Sequence, residues 1–303
     1  MGIRNKIRRY SLPCLLSVSI LFLSCATRPP SDVVRTPVES FAAVEAVVPR
    51  WQAVAQGIGF FHGKAGTPEF EFWALKIELA APDLQIVVKG GAPDAAGGTD
   101  RTLSVKVSSF VSTNGLTAGI NAAPFDISSS KEGQPIKNVG IVISGGKQIS
   151  PVNSRYDALV FYKDGKAAIV NQAAIKSTEK IENAVGGFFQ ILVNGTPAER
   201  TLTRENREPR SAAGISDDGK YLYLLVIDGR RADSDGGTEK ETALLLLALG
   251  SWNGLNLDGG GSTALALRGA DGKVRVVNTP VHGGIPGRER AVAGCLGILA
   301  GGL

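Results

Sequence analysis

The chain has 303 residues, 43% hydrophobic and 20% charged, which is enough apolar surface to bury a core and excludes wholesale disorder. Its 38 glycines and 6% aromatics favour many tight turns over a long helical bundle, and three cysteines without a CxxC pair exclude a disulfide framework. Two histidines, His62 and His282, are too few for a His-rich zinc site, so no metal is assigned. If an ion is used, Ca²⁺ or Mg²⁺ on oxygen ligands fits the composition better. The formal charge of +5 misleads, because Arg4, Lys6, Arg8 and Arg9 precede residue 25 in a stretch without acids. Without them, 29 basic residues face 28 acidic ones, so the rest of the chain lacks the positive field of a nucleic-acid binder.

Taken in chain order, Met1–Arg9 is a basic n-region and Leu12–Leu23 an apolar run too short to span a bilayer. Together they read as a secretory signal over residues 1–24. Phe22-Leu-Ser-Cys25 resembles a bacterial lipobox, with Phe22 where Leu is usual, and makes Cys25 the expected lipidated residue. A plain signal peptide with an incidental cysteine is the alternative. Residues 25–50 are expected as lipid anchor and flexible tether, and residues 51–303 as one domain. The acyl chains would hold that domain at the bacterial cell envelope, outside the cytoplasm.

Within the domain, Trp73–Leu79 alternates apolar and polar residues and reads as a half-buried antiparallel strand. Ser104–Thr113 reads as a helix closed by Asn114-Gly115. Hairpin tips are expected at Gly145-Gly146, Asp164-Gly165, Asn194-Gly195, Asp218-Gly219 and Asp271-Gly272, because such pairs supply the positive φ angles of primed turns. Their flanking strands are Gly140–Ser144, Ala158–Tyr162, Ala167–Val170, Gln190–Val193, Tyr221–Asp228 and Lys273–Val277. A second helix is predicted over Glu239–Leu249, with Thr238 and Glu241 as a capping box and Gly250 as its stop. Cys295 reads as a small core residue. The expected fold is α+β, a single β-rich domain of mixed sheet and hairpins with a few packed helices.

Two strands end alike, at Asp228-Gly229-Arg230 and at Asp258-Gly259-Gly260-Gly261-Ser262-Thr263. If they are parallel neighbours, both carboxylates emerge at one sheet edge, as glycosyl transfer to water requires of a paired acid and base or nucleophile. Gly259, Gly260 and Gly261 can form an anion-binding nest, with Ser262 and Thr263 adding hydroxyls, or can simply make a tight turn. Arg210, Arg230 and Arg290 offer the planar fork that suits phosphate. Asn121 and Asp126 share a loop where an amide and a carboxylate can bind sugar hydroxyls, an Asx-type turn being the alternative.

Asn256-Leu-Asp258-Gly-Gly-Gly-Ser262-Thr263 resembles the motif of the phosphodiester glycosidase domain family. Further ordered likenesses lie at Asn121-Ala-Ala-Pro-Phe125-Asp126, Ala184–Gly195, Pro209-Arg210-Ser-Ala-Ala-Gly-Ile215, Val226-Ile-Asp228-Gly-Arg230 and Arg288–Gly294. The resemblance implies a mixed α/β fold and hydrolysis of a sugar-1-phosphodiester, with a site of Asn121, Asp126, Arg210, Asp228, Arg230, Asp258 and Arg290. Asn256, Gly259–Gly261, Ser262 and Thr263 join it on the substrate side, and Asp258, Asp228 and Asp126 are the catalytic candidates. The expected partner is a phosphorylated glycan. The chain departs from the family in Asn121-Ala-Ala-Pro, where glycines are usual, and in the stretch after Asp228. Two rival readings stand beside this one: a non-catalytic envelope protein that binds phosphorylated glycans, and a phosphoesterase with a metal on Asp126, Asp228 and Asp258.

Overall fold

The computed structural model describes residues 37–90, 100–126 and 131–302; the expected signal segment and Cys25 lie outside them. The described residues begin with helix α1 (Pro37–Glu45), strands β1 (Gln52–Ala55), β2 (Ile58–Ala65), β3 (Phe70–Glu78), β4 (Gln85–Val88) and β5 (Arg101–Leu103), and helix α2 (Val107–Thr113). Strands β6 (Ala118–Asn121), β7 (Pro135–Lys137), β8 (Val142–Ser144), β9 (Lys147–Ser150), β10 (Asp157–Tyr162), β11 (Ala167–Asn171) and β12 (Ile181–Gly186) follow. Next come β13 (Gln190–Val193), β14 (Thr196–Pro197), β15 (Arg210–Ile215), β16 (Tyr221–Ile227) and helix α3 (Glu239–Leu249). Strands β17 (Asn253–Asn256), β18 (Leu265–Arg268), β19 (Val274–Val276) and β20 (Cys295–Leu299) complete the fold.

The main sheet has eight strands in the order β1-β2-β3-β16-β15-β17-β13-β14. Two five-stranded sheets, β11-β10-β12-β8-β9 and β19-β18-β6-β20-β4, pack on one of its faces. The central core lies between them, where Leu75, Leu224, Ala213 and Leu257 of the large sheet meet Ile120, Leu159, Val185 and Leu296 of the smaller ones. The other face of the large sheet is covered by α1 and α3, which bury Phe72, Leu225, Ile227, Leu245 and Leu246. Helix α2 closes the outer face of the β18-β6-β20 sheet with Val107, Phe110 and Val111. This is the expected α+β architecture.

All five expected hairpin tips form, and their glycines take positive φ, from Gly145 at 55° to Gly165 at 84°. Four predictions need correction. Strand β3 is central in an eight-stranded sheet, so Phe72 and Ala74 are buried on the helix side while Trp73 and Leu75 are buried on the other. Helix α2 starts at Val107, not Ser104, because Ser104 bonds Lys131 O (2.6 Å) and Gln134 N (3.1 Å) and Val105 bridges to Val292. The segment expected as tether contains α1, whose Val44 is fully buried and whose Phe41 lies 3.7 Å under the Lys240 ammonium. Strands β16 and β17 run parallel but are not neighbours, since antiparallel β15 lies between them.

Helix α3 has the predicted cap: Thr238 Oγ1 accepts from Glu241 N (3.1 Å), and Thr238 N donates to Glu241 Oε2 (2.8 Å). Thr238→Ala removes half of this box and is expected to destabilise the fold by about 1 kcal/mol. Urea unfolding of the variant against wild type measures it.

Candidate active site

Strand register sets the site. Arg210 of β15 pairs with Ile227 of β16, and Ala212 pairs with Asn256 of β17. Leu257 N continues the ladder onto Ser211 O at 2.9 Å, so Asp228 and Asp258 leave the same sheet edge on either side of the start of β15. Their backbones are two strand spacings apart, roughly 10 Å.

The turn after Asp258 is held from beneath by a buried amide. Asn121, fully buried on β6, donates from Nδ2 to Asp258 O (2.5 Å), while its Oδ1 accepts from Ser211 Oγ (2.8 Å) and Ala264 N (3.1 Å). Both ends of the glycine turn are therefore tied to one side chain, whose polar atoms are consumed in doing so. Asn121 shapes the site from below; it does not face a sugar as the sequence suggested.

The glycine amides are also used internally. Gly260 N donates to Pro209 O (2.8 Å), Gly259 N–H turns to the Asp258 carboxyl, and Ser262 N bonds Gly259 O (3.1 Å). The triple glycine thus has two of its three amides, those of Gly259 and Gly260, occupied within the protein. Its lack of side chains serves another purpose, because two guanidinium groups lie against it. A Cβ on Gly261 would sit 2.8 Å from Arg290 Nη2, and one on Gly260, whose φ is +59°, 3.1 Å from Arg230 Nη2.

Each arginine is aimed by a neighbour. Arg230 bonds Glu208 Oε2 through Nε and Nη2, both at 2.7 Å. Arg290 donates from Nη1 to Ser262 Oγ (3.1 Å) and from Nε to His282 Nδ1 (3.0 Å). Because His282 Nδ1 accepts, the neutral ring carries its proton on Nε2. Burial, Arg290 and Arg288 all lower the pKa of His282, which keeps it in that neutral form. Its loop is folded back on itself, with His282 N bonded to Arg288 O (3.0 Å). His282 had no distinguishing local pattern in the sequence; only this loop closure joins it to Arg290.

The two aspartates differ sharply. Burial pushes the Asp258 carboxyl up to about 6, against the opposing influence of the Ser262 hydroxyl, Arg290 and Gly259 N–H. Asp228 is 1% exposed, and its two oxygens are taken by Arg231 Nη1 (2.6 Å), Asn278 Nδ2 (2.9 Å) and Thr279 N (2.9 Å). Burial raises its pKa too, while those three donors pull it down. Asn278 also bonds Thr263 O (3.3 Å) and Leu265 N (2.9 Å), which makes Asp228 a brace for the segment after the glycine turn. Neither Arg231 nor the Asn278-Thr279 pair was among the site residues expected from sequence.

Strand alternation turns Arg210 away, to the α3 side of the sheet. Its Nε donates to Gly237 O (2.9 Å) and its Nη2 to Asn206 O (2.8 Å), beside Glu239 at 4.0 Å. It anchors backbone and is not directed at the glycine turn. Asn256 and Thr263 are buried with Oδ1 and Oγ1 lacking a partner. Asp126 is exposed, and its N–H bonds Lys137 O (3.0 Å); among the described residues no bond joins it to Asp258 or Arg290.

Ca²⁺ or Mg²⁺ on the three aspartates does not fit this arrangement. Asp228 already accepts three hydrogen bonds, one of them from a guanidinium group, Asp258 stands beside a second guanidinium group, and among the described residues no bond joins Asp126 to either. Among the described residues no group of three or more His, Cys, Asp or Glu converges on a point.

A raised-pKa carboxyl lies beside Arg290 on a turn against which Arg230 also packs, at one edge of the large sheet of a β-rich α+β protein. The phosphodiester glycosidase family matches residues 114–299, more than half of the chain, and the chain belongs to that family. Among solved structures it is similar to the catalytic domain of zebrafish N-acetylglucosamine-1-phosphodiester alpha-N-acetylglucosaminidase, auto-inhibited by its pro-peptide, with TM-score 0.59, 21% identity, and 84% of this chain and 88% of that one covered. A hypothetical protein from Synechocystis matches with TM-score 0.58 and 14% identity, over 80% of this chain and 62% of that one. These likenesses are of fold. The SPbeta prophage-derived protein YomE of Bacillus subtilis (strain 168) is 29% identical over 121 residues, 37% of this chain and 19% of its own length. The chain thus spans about a fifth of that curated relative.

Gly261→Ala tests the packing of Arg290, since Gly261 has no left-handed backbone to strain. The methyl is expected to push the guanidinium off the turn and, on the phosphate-binding reading proposed below, to weaken inorganic phosphate binding on the order of tenfold, about 1.4 kcal/mol. Isothermal titration against wild type reads the change.

Proposed function

We propose that the chain hydrolyses the glycosidic bond of a sugar-1-phosphodiester in a glycan or glycoconjugate. The observation that carries this reading is the Asp258 carboxyl, with its pKa raised to about 6, set beside Arg290 on a turn where Arg230 also packs. The two guanidinium groups neutralise the phosphate and so make it a better leaving group. Water adds to the anomeric carbon as the C–O bond to phosphate breaks. Asp258, on the side of the departing phosphate, gives its proton to that oxygen, and the proton released by the water restores the Asp258 carboxyl through solvent. Bound phosphate adds negative charge next to Asp258 and favours its protonated form further. Ser262 and His282 fix Arg290 from two directions, so its position does not depend on substrate. Asp228 braces the framework and is not assigned a proton-transfer step.

The departure Asn121-Ala-Ala-Pro does not favour a binding-only protein. Ala122 and Ala123 are 0% and 1% exposed, so their methyls lie in the core. Asp258→Asn is expected to abolish release of sugar while phosphate still binds, because the arginines remain. In wild type, kcat/KM is expected to fall as pH rises through about 6, where Asp258 loses its proton. A rate that climbs through that range instead would assign Asp258 as base. Mass spectrometry of the products, asking on which side of the phosphate the bond breaks, separates glycosidase from phosphoesterase. Full activity in Asp258→Asn would sink the reading.

The place of work in this proposal is the bacterial cell envelope, with Cys25 as lipid anchor after removal of residues 1–24. The support is the order of basic region, apolar run and Phe22-Leu-Ser-Cys25 in the sequence. Cys25→Ala is expected to move the protein from the detergent phase to the aqueous phase in a partition assay; unchanged partition would count against the anchor.

A further inference from the structure

The segment leading into β20 carries a cation that the proposed chemistry does not use. Arg288 is exposed, and among the described residues its side chain has no hydrogen bond or ion pair. The side chains of Arg288, Glu289 and Arg290 alternate in direction. Glu289 turns to α2, where it accepts from Ser108 N (2.9 Å) and Ser108 Oγ (2.6 Å), and so it pairs with neither arginine. Arg290 lies over Gly261, and Arg288 lies over Gly283, where a Cβ would meet its Nη1 at 3.5 Å.

Gly283 belongs to the turn His282–Gly284, which packs against the turn Gly260–Ser262. The loop that presents Arg288 is closed by its own backbone. His282 N donates to Arg288 O (3.0 Å), Arg288 N to Ile285 O (3.1 Å) and Ile285 N to His282 O (3.3 Å). Three guanidinium groups therefore border the two joined turns, Arg230 over Gly260, Arg290 over Gly261 and Arg288 over Gly283. The charges of Arg288 and Arg290 both act on the His282 ring that lies between them.

Charge balance decides what such a surface receives. Arg230 is matched by Glu208 at 2.7 Å. Arg290 meets a hydroxyl and a neutral imidazole, and the carboxyl acting on it, that of Asp258, is uncharged in the state that donates a proton. Arg288 has no acid partner among the described residues. A simple sugar phosphodiester brings a single negative charge, which Arg290 takes up, and Arg288 is left without a counterpart. The arginines gather on the phosphate side of the bond to be broken, so a counterpart for Arg288 lies beyond the phosphate, away from the sugar. A phosphate or a carboxylate there suits a guanidinium group. We infer that Arg288 selects substrates in which the group beyond the phosphodiester carries a second anion. The inference rests on the proposed function for the statement that this anion belongs to the substrate; the cation pair of Arg288 and Arg290 is read from the geometry alone.

Three N-acetylglucosamine-1-phosphodiesters test it, with a methyl, a phosphoethyl or a carboxyethyl group beyond the phosphate. In wild type, kcat/KM is expected to be higher for at least one of the two doubly charged esters than for the methyl ester. That ratio is expected to fall about fivefold in Arg288→Gln and to be largely kept in Arg288→Lys, which retains the charge. The larger of the two ratios identifies the second anion as phosphate or carboxylate. In parallel, inorganic phosphate and pyrophosphate are titrated into the full chain by calorimetry, and thermal melts check that both variants fold. Pyrophosphate is expected to bind wild type more tightly than phosphate, with most of that advantage lost in Arg288→Gln. A substrate ratio near one in wild type, or one that Arg288→Gln leaves unchanged, would overturn the inference. If none of the three esters releases sugar, the hydrolase reading fails and the titration alone judges Arg288: an advantage for pyrophosphate that survives in Arg288→Gln, or none in wild type, overturns its role.

Discussion

The Asn121 amide, buried without exposure, is the joint on which the site depends. It receives Ser211 from the large sheet and Ala264 from the segment beyond the glycine turn, and it holds Asp258 O from below. A buried amide with every partner in place is rigid, because releasing any one bond leaves a polar group unpaired in the core. The glycine turn is fixed at both ends by this means. A surface formed in this way can carry two guanidinium groups at short distance without shifting beneath them.

The two aspartates show how environment divides similar residues. They end two parallel strands of one sheet and emerge on the same edge, yet one is saturated with donors and the other is not. Asp228 meets Arg231, Asn278 and Thr279 and acts as an internal strut. Asp258 is desolvated faster than its donors compensate, so its carboxyl holds a proton into the weakly acidic range. Raised carboxyl pKa values of this origin are characteristic of functional positions, and here the geometry of Arg290 and Ser262 points the same way.

Arg210 and the glycines illustrate a second division. Both were read as phosphate binders, Arg210 from its planar fork and the family resemblance, the glycines as a nest of amides within the family motif. Alternation along β15 turns Arg210 to the α3 face, where carbonyl oxygens of Gly237 and Asn206 occupy it. The glycines are small because the Arg230 and Arg290 guanidinium groups need the room above them. In each case the residue belongs to the site's framework, and the surface it frames is supplied by Arg230 and Arg290.

Much of the local structure was legible in the sequence. The five hairpin tips and the capping box of α3 follow from φ preferences and side-chain bonds within four residues, which no distant contact overrides. The motif around Asp258 was legible too, and with it the family. What the chain could not show by itself was everything set by contacts between distant segments. Strand β15 enters between β16 and β17, Asn121 reaches across 137 positions to Asp258, and His282 meets Arg290 only because its loop folds back. Periodicity and turn chemistry fix where a strand begins and which way its side chains alternate; which partners those side chains meet is decided by packing, because burial is a property of the assembled sheets and not of any segment alone.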